Sequence, residues 1–543
     1  MIQNKMDISM HIIKQIFGLT CIAVLLSSCH GNKGSAWRSE YTDVPITAPT
    51  QLQYGTYSLG MYGSAPDASH SIAVLIPTSG ANAKIGKSIR LGVEAATMQF
   101  APDGLQVRFF DTGTGDTGET IERALASNPE IIIGPVFADN ARILRDKKPS
   151  AIPALSLTSD VSAIGDGVIS MAVMPMNVVE SAIAEMSANG AKNFIVIAPN
   201  NTSGPVMAGA ANAIADTYNI GNVGIFYYNE RDTDSIKSAA LAASMYNARN
   251  AANTRAKEIL SAIINHESLS RSEKYSLSRQ LENLNRFDTL GDLPYDSILF
   301  LGDGNDTKSV ASFLRYYGVD ARAAKFYGTP LWEDSDIASD LTMTGAVYAT
   351  LPDIPENFRN TYSLATGTYP TRMSTIGYES TLLAIGTLYS HDDIHAHLMN
   401  PSGYTGINGL FRLHTDGTNE RALRIMRLNG DGTTSIARTE PAAFTVPIYR
   451  TGGTYMSAAE SEPLDSDGVN PLDYIKIPER FRGKYSAKTY GINHSSSKNN
   501  EPIFHTSTIL PINDSESITS EDYQPMPLDN ISRTYIDSVE ITE

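Results

Sequence analysis

The stretch from Ser71 to Gly92, SIAVLIPTSGANAKIGKSIRLG, restricts what this chain can fold into more than any other segment. A continuous apolar run breaks at Pro77-Thr78-Ser79-Gly80 and gives way to a helical pattern with Ile85, Ile89, Leu91 and Val93. A short run that is apolar at successive positions suits a strand covered on both faces, as in a parallel sheet. A strand that feeds a helix through a polar, glycine-containing turn places backbone N–H groups at its carboxyl end, where open α/β sheets hold ligands.

The same alternation continues to about residue 350. Strand-like runs occur at Ile72-Pro77, Gln106-Phe110, Glu130-Gly134, Ala154-Leu157, Phe194-Ala198, Val223-Tyr228, Ser297-Gly302 and Lys325-Tyr327, with helical stretches between them. This order predicts βαβ units, hence an α/β fold of two Rossmann-like lobes with parallel sheets, covering residues 71–175 and 176–350. Between Tyr246 and Leu290 the pattern is interrupted by a polar, helix-favouring stretch free of Pro and, until Leu290, of Gly. Ile259, Ile263 and Ile264, then Tyr275, Leu277, Leu281 and Leu284, predict a helical hairpin turning near Ser268 to Ser270. Surface decoration and a partner-binding face are both open readings of it.

The amino terminus carries Lys5 and Lys14, an apolar stretch from Ile16 to Leu26, and then Leu26-Ser27-Ser28-Cys29. Such a run is too short to span a bilayer comfortably and reads as a secretory signal over residues 1–28. Of the two cysteines, Cys21 lies inside that signal and Cys29 at its end, so no disulfide is expected. The four residues resemble a bacterial lipobox, which implies lipid on Cys29 and anchoring to a membrane from its periplasmic side; His30 after it favours the outer membrane. Residues 29–70, rich in Gly, Ser, Thr, Pro and Tyr, are expected to form a flexible tether. Residues 455–543 turn polar and lose hydrophobic periodicity, which predicts a disordered tail. Its last part, 499–543, holds nine acids and one Arg, close to half of the whole chain's net charge of −17. The rest of the chain therefore carries no nucleic-acid footprint. The basic stretch 476–498, with Phe and Tyr interleaved, reads as a solvated linker or as a contact for anionic polymer.

Three motifs resemble catalytic ones without meeting their requirements. Gly80 through Ser88 approaches a phosphate-binding loop, but five residues separate the glycines where nucleotide binding uses four. Phe109-Phe110-Asp111-Thr112-Gly113-Thr114 matches an aspartic-protease pattern, yet the only other such triplet is Asp116-Thr117-Gly118, on the same loop and unable to face it as a dyad. His391-Asp392-Asp393-Ile394-His395-Ala396-His397 gathers metal-binding side chains, but supplies no distant fourth ligand. There is no G-x-S-x-G elbow and no cysteine beyond Cys29, so covalent catalysis has no candidate. We expect a non-enzymatic protein with no cofactor and no metal.

IAVLIPTSGANAKIGKSIRLGVEAA, VRFFDTGTGD, IIIGPVFADNA, IPALSLTS and TIGYESTLLAI together resemble the type I periplasmic binding proteins of the leucine/isoleucine/valine-binding family. The helical insertion, TLGDLPYDSILFLGDG, YGTPLWED and GINGLFRLHTDGTNERALRIMRL are similar to the lipoprotein branch of penicillin-binding protein activators. The resemblance implies a ligand cleft between the lobes, with about 351–405 returning to lobe one and about 406–450 to lobe two. It places Ser79, Gly80, Phe137, Asp139, Thr158, Ser159, Trp332 and Tyr378 around the ligand. Ser79 and Thr158 would donate hydrogen bonds, and Trp332 and Tyr378 would cover the bound molecule. Asp139 departs from the pattern, because an acid there repels a ligand carboxylate unless it points away. Two functions follow from the resemblance. A receptor would bind an amino-acid-like or peptide-like solute and present it to an ABC permease. An activator would bind a peptidoglycan synthase through its surface.

Overall fold

The computed structural model describes residues 48–52, 70–102, 104–333, 335–390, 393–444, 457–461, 464 and 468–485. Cys29 and the signal lie outside the described residues, as do His391 and Asp392. The described residues divide into two units: the first holds those up to Ala172, Pro355–Arg421 and 442–444, and the second holds Val173–Ile354, Ala422–Pro441 and those from 457 to 485.

In the first unit five parallel strands, β2 (Ser71–Ile76), β3 (Gln106–Asp111), β4 (Ile131–Ile133), β5 (Ala154–Ser156) and β6 (Val168–Ser170), stand in the order β3-β2-β4-β5-β6. Ile72 through Ile76 are sealed from solvent, as a strand covered on both faces must be. The helix Ala83–Phe100 follows β2 and buries Ile85, Ile89 and Val93. A Cβ on Gly86 would stand 1.9 Å from the Pro77 carbonyl oxygen, so the glycine of this phosphate-loop lookalike is there to let the helix lie against the loop. The helix Arg372–Leu388 returns beside it, with almost every residue from Ser374 to Leu388 buried.

A second, small sheet of this unit joins β1 (Thr50–Gln51), β12 (Tyr404–Gly406), β13 (Gly409–Leu413) and β14 (Asn419–Arg421). β1 lies parallel to β12, with Thr50 N–H donating to Gly403 O and Leu52 N–H to Thr405 O, both at 2.9 Å. Leu52 is buried. The expected tether is thus interrupted at 50–52, where two backbone bonds and an apolar anchor hold it. The small sheet also moves a boundary: residues 406–421, expected in lobe two, belong to the first unit, because β13 and β14 pair with β12 as an antiparallel meander.

The second unit carries β7 (Asn193–Pro199), β8 (Gly221–Tyr228), β9 (Ser297–Phe300), β10 (Lys325–Gly328) and β11 (Val347–Thr350), all parallel, extended by the antiparallel strands β15 (Arg424–Leu428) and β16 (Thr434–Arg438). The order is β16-β15-β11-β10-β9-β7-β8. The expected hairpin is present as the helices Tyr246–Ile264 and Arg271–Leu284, the second opened by a reciprocal capping box between Ser270 and Glu273. Within the expected disordered tail, the described residues 457–461 and 468–485 are ordered. Ser461 N–H donates to Ile225 O on the edge strand β8, and residues 470–485 fold onto the hairpin through a 3-10 turn, Pro471–Asp473, and a short helix, Glu479–Arg482. Here periodicity was a poor guide, since Leu472, Ile475, Phe481 and Tyr485 are buried without following a helical or strand repeat.

Candidate functional site

In an open parallel sheet the ligand crevice lies outside the carboxyl ends of the strands, where the strand order reverses. In the first unit that strand is β2, flanked by β3 on one side and β4 on the other. The loop after β2 is held by Asp111 at the end of β3. One oxygen of its carboxylate accepts from Thr78 N–H at 2.8 Å, Ser79 N–H at 3.2 Å and Gly113 N–H at 2.9 Å. Partial burial pushes the Asp111 carboxyl up, but the hydrogen bonds from the Ser79 side chain and from these N–H groups outweigh it and leave it below the usual range. The protease-like triplet is therefore a clamp that shapes the first loop. Ser79 Oγ lies 2.8 Å from Thr114 Oγ1, and Gly80 is exposed with φ at 73°.

The loops after β4 and β5 form the other half of this edge. Leu157 N–H and Ser156 Oγ both bond Pro135 O, which ties the two loops together. Phe137 is half-buried and opens the helix Ala138–Lys147. Thr158 is buried, with its hydroxyl accepting from Asp160 N–H at 3.2 Å, and Ser159 beside it is half-buried. Asp160 in turn caps the 3-10 turn Val161–Ala163. Asp139 points to solvent, its side chain 75% exposed, and pairs with Arg142 at 2.6 Å. Arg142 also reaches Asp160 Oδ2 and Ser162 Oγ, each at 2.8 Å, so its single positive charge is shared by two carboxylates. A second cation stands beside it, Arg145, which bonds Ser162 O at 2.8 Å and Ile164 O at 3.2 Å.

Six of the eight expected site residues thus share the carboxyl edge of the first unit's sheet, and two do not. Trp332 is 1% exposed in the core of the second unit, against Phe300 and Tyr348. It packs over Gly328, where a Cβ would stand 2.1 Å from the ring, and nothing of it is left to cover a ligand. Tyr378 is fully buried in the first unit, edge-on to Phe358 at 4.9 Å, with its hydroxyl donating to Gln99. Both aromatics were expected at the ligand because they follow the aligned segments; burial assigns them to packing. Glu333, the acid that follows Trp332, is exposed.

An acidic group that sequence reasoning missed stands at the corresponding edge of the second unit, where β7 is flanked by β8 and β9. Asp303 caps the helix Gly304–Tyr316, and Asp306 in its first turn is buried. Arg231 N–H donates to Asp306 at 3.3 Å, and Asn201 Nδ2 donates to Glu230 at 2.6 Å. Burial pushes the Asp306 carboxyl up, and the charges of Asp303 and Glu230 push it further. The two aspartates in Gly302-Asp303-Gly304-Asn305-Asp306 directly after an apolar strand were the available signal. Among the described residues no group of three His, Cys, Asp or Glu side chains could hold a metal, and no helix is long and apolar enough to cross a membrane. Asp393, from the histidine-rich segment, caps the short helix Ile394–Leu398.

The periplasmic binding protein family model matches residues 69–433, two thirds of the chain and parts of both units. The chain belongs to the periplasmic binding protein family. It is 26% identical over 199 residues to the penicillin-binding protein activator LpoA of Pasteurella multocida, a stretch that covers 36% of this chain and 33% of that activator. Among solved structures, a putative branched-chain amino acid ABC transporter protein from Rhodospirillum rubrum matches with a TM-score of 0.50 and 15% identity, over 68% of this chain and all of that one. The C-domain of LpoA from Haemophilus influenzae, a regulator of PBP1A, matches with a TM-score of 0.46 and 16% identity, over 68% of this chain and 99% of that domain. At 15% identity the Rhodospirillum rubrum match speaks for the periplasmic binding protein fold alone.

Proposed function

We propose that this protein is a non-enzymatic, lipid-anchored periplasmic protein that regulates a peptidoglycan synthase by direct contact. The observation that carries the reading is the state of the expected amino-acid site. Trp332 and Tyr378, which would cover the ligand, are core residues, and Arg142, a cation beside the loops where a ligand carboxylate would sit, is already taken up by Asp139 and Asp160. A carboxylate brought there would have to compete with those two for the guanidinium. The sequence similarity to a penicillin-binding protein activator supports the same direction. The lipobox-like Leu26-Ser27-Ser28-Cys29 supplies the anchor.

A second reading, a receptor for a small solute that works with an ABC permease, is supported by one specific observation. The carboxyl edge of the second unit is acidic through Glu230, Asp303 and Asp306, which suits a cationic or ammonium-bearing solute rather than an anionic one.

The test is a pull-down of the mature chain against the bifunctional peptidoglycan synthases of its host, followed by glycan polymerisation with and without the chain. Retention of a synthase together with a rise in its turnover supports the regulator. A thermal-shift screen against amino acids, polyamines and cell-wall peptides runs beside it. A ligand at 100 times its dissociation constant should add about 2.7 kcal/mol. A shift with a cationic solute and no synthase contact would replace the first reading with the second.

A further inference from the structure

The helical hairpin has a core of its own. Ala256, Ile259, Leu260 and Ile263 from its first helix and Leu277 from its second are buried against Leu472, Ile475, Phe481 and Tyr485 of the segment that crosses them, with Leu281, Leu284 and Ile477 at the margin. None of these residues belongs to the main core of the second unit. The groove between the two helices is thus filled from the carboxyl-terminal side of the chain.

The polar contacts have the pattern of peptide recognition. The Gln280 side-chain amide donates to Lys476 O at 2.9 Å and accepts from Lys476 N–H at 2.8 Å, reading both backbone groups of one residue. Arg480 meets Glu273 with both guanidinium nitrogens, at 2.8 and 3.0 Å. Glu273 is held in place for this by the capping box, its carboxylate accepting from Ser270 N–H and Ser270 Oγ. A fixed carboxylate, a side-chain amide aligned to one backbone unit and a row of apolar seats make a groove that specifies both position and direction of its occupant.

We propose that the hairpin is a peptide-docking module and that its occupant is this chain's own segment 470–485, bound in cis as a separable ligand. Segment and groove recognise each other by Leu472, Ile475, Phe481 and Tyr485 in apolar seats, by Gln280 on Lys476 and by Glu273 on Arg480. Two consequences follow. The chain beyond Tyr485 is delivered to the hairpin, and a foreign segment with the same apolar and basic spacing competes for the seat.

The experiment uses the full chain with a specific-protease site inserted between Asp465 and Ser466. After cleavage the carboxyl-terminal fragment should co-elute with the remainder, and an excess of a fluorescent peptide of residues 468–485 should exchange into its place. Arg480→Ala in the peptide should weaken capture up to about fivefold, as an exposed ion pair does, and Phe481→Ala by about thirtyfold or more, as a buried aromatic anchor does. A peptide of the same composition in scrambled order should not bind. The uncleaved chain carrying Ile475→Ala and Phe481→Ala provides a second measurement, since it should bind the peptide while the parent chain does not. If the fragment leaves, the hairpin amides lose hydrogen-exchange protection and neither protein captures the peptide, the segment is an inseparable part of the fold and the proposal fails. Equal capture of the scrambled peptide would overturn it as well.

Discussion

Arg421 donates to Glu379 at 2.9 Å with both side chains sealed from solvent, the arginine 1% and the glutamate 0% exposed. The same guanidinium nitrogen bonds Met171 O at 2.7 Å, and the other Glu379 oxygen accepts from Asn408 N–H at 3.2 Å. Asn419, two residues earlier on β14, donates to Ser170 O and Ala172 O. Met171 and Ala172 end the first passage of the chain through the first unit, and Arg421 ends the second. One buried pair therefore fastens both exits. Removing one partner of such a pair strands a buried charge.

Glu379→Gln should lower stability by about 3–5 kcal/mol. Replacing Glu379 and Arg421 together with leucine should cost much less than the sum of the single changes, since Arg421 Nε and Nη1 already lack partners. Urea unfolding of the two single variants and the double variant gives the coupling.

Asp111 should matter to the first loop rather than to any chemistry. Asp111→Ala should cost about 1–3 kcal/mol through its lost backbone acceptors and speed amide exchange at Thr78, Ser79 and Gly113. Its depressed carboxyl pKa means that the stabilisation is complete above the ordinary carboxylate range and is lost as the pH falls through the lowered value. Exchange rates unchanged by the substitution would remove the clamp.

At Asp306 the sign is opposite. Its carboxyl is pushed up by burial and by Asp303 and Glu230, so carrying the charge at neutral pH costs stability. Asp306→Asn should raise Tm by about 2 °C or more at pH 7, with the gain shrinking as the pH falls through the raised pKa and the parent becomes protonated. A polyamine that shifts the parent and not the variant would identify the acidic edge as its binding site.

The pair between segment and hairpin should also report on pH. Arg480, then the Ser270 N–H and hydroxyl, hold the Glu273 carboxyl at about 2 where 4.5 is usual. The contribution is fully present above pH 4.5 and fades as the pH falls towards 2. Limited proteolysis near residues 474–485 should accelerate across that window in the parent. In Glu273→Gln it should already be fast and change little.

Trp332→Ala should destabilise the second unit by about 3–5 kcal/mol without altering the affinity of any ligand found for the first unit's edge. The matched change Gly328→Ala should also destabilise, because the ring leaves no room for a methyl group.

The parallel sheets were legible because β2, β4, β7 and β9 are apolar without interruption and sit between amphipathic helices. The hairpin was legible from Ile259, Ile263, Leu277 and Leu281 at helical spacing. Short pieces escaped, because β1 and β14 of two and three residues contain too little pattern and exist only through their partners. The segment 470–485 escaped for a related reason: its apolar residues answer to seats on another element rather than to a repeat of their own. At the candidate site, Ser79, Gly80, Phe137, Thr158 and Ser159 come to one sheet edge because strand ends set them there. Trp332 and Tyr378 were misjudged, since sequence does not separate an aromatic that faces a ligand from one that fills a core.

The docking of Thr50–Gln51 on β12 changes the mechanics of attachment. With lipid on Cys29, the leash runs to Thr50 and not to Ser71, 21 residues instead of 42. At the limit of chain extension it reaches about 70 Å rather than about 140 Å, whatever its conformation. On the proposed anchoring, the volume open to the point where the leash joins the first unit is thereby cut about eightfold.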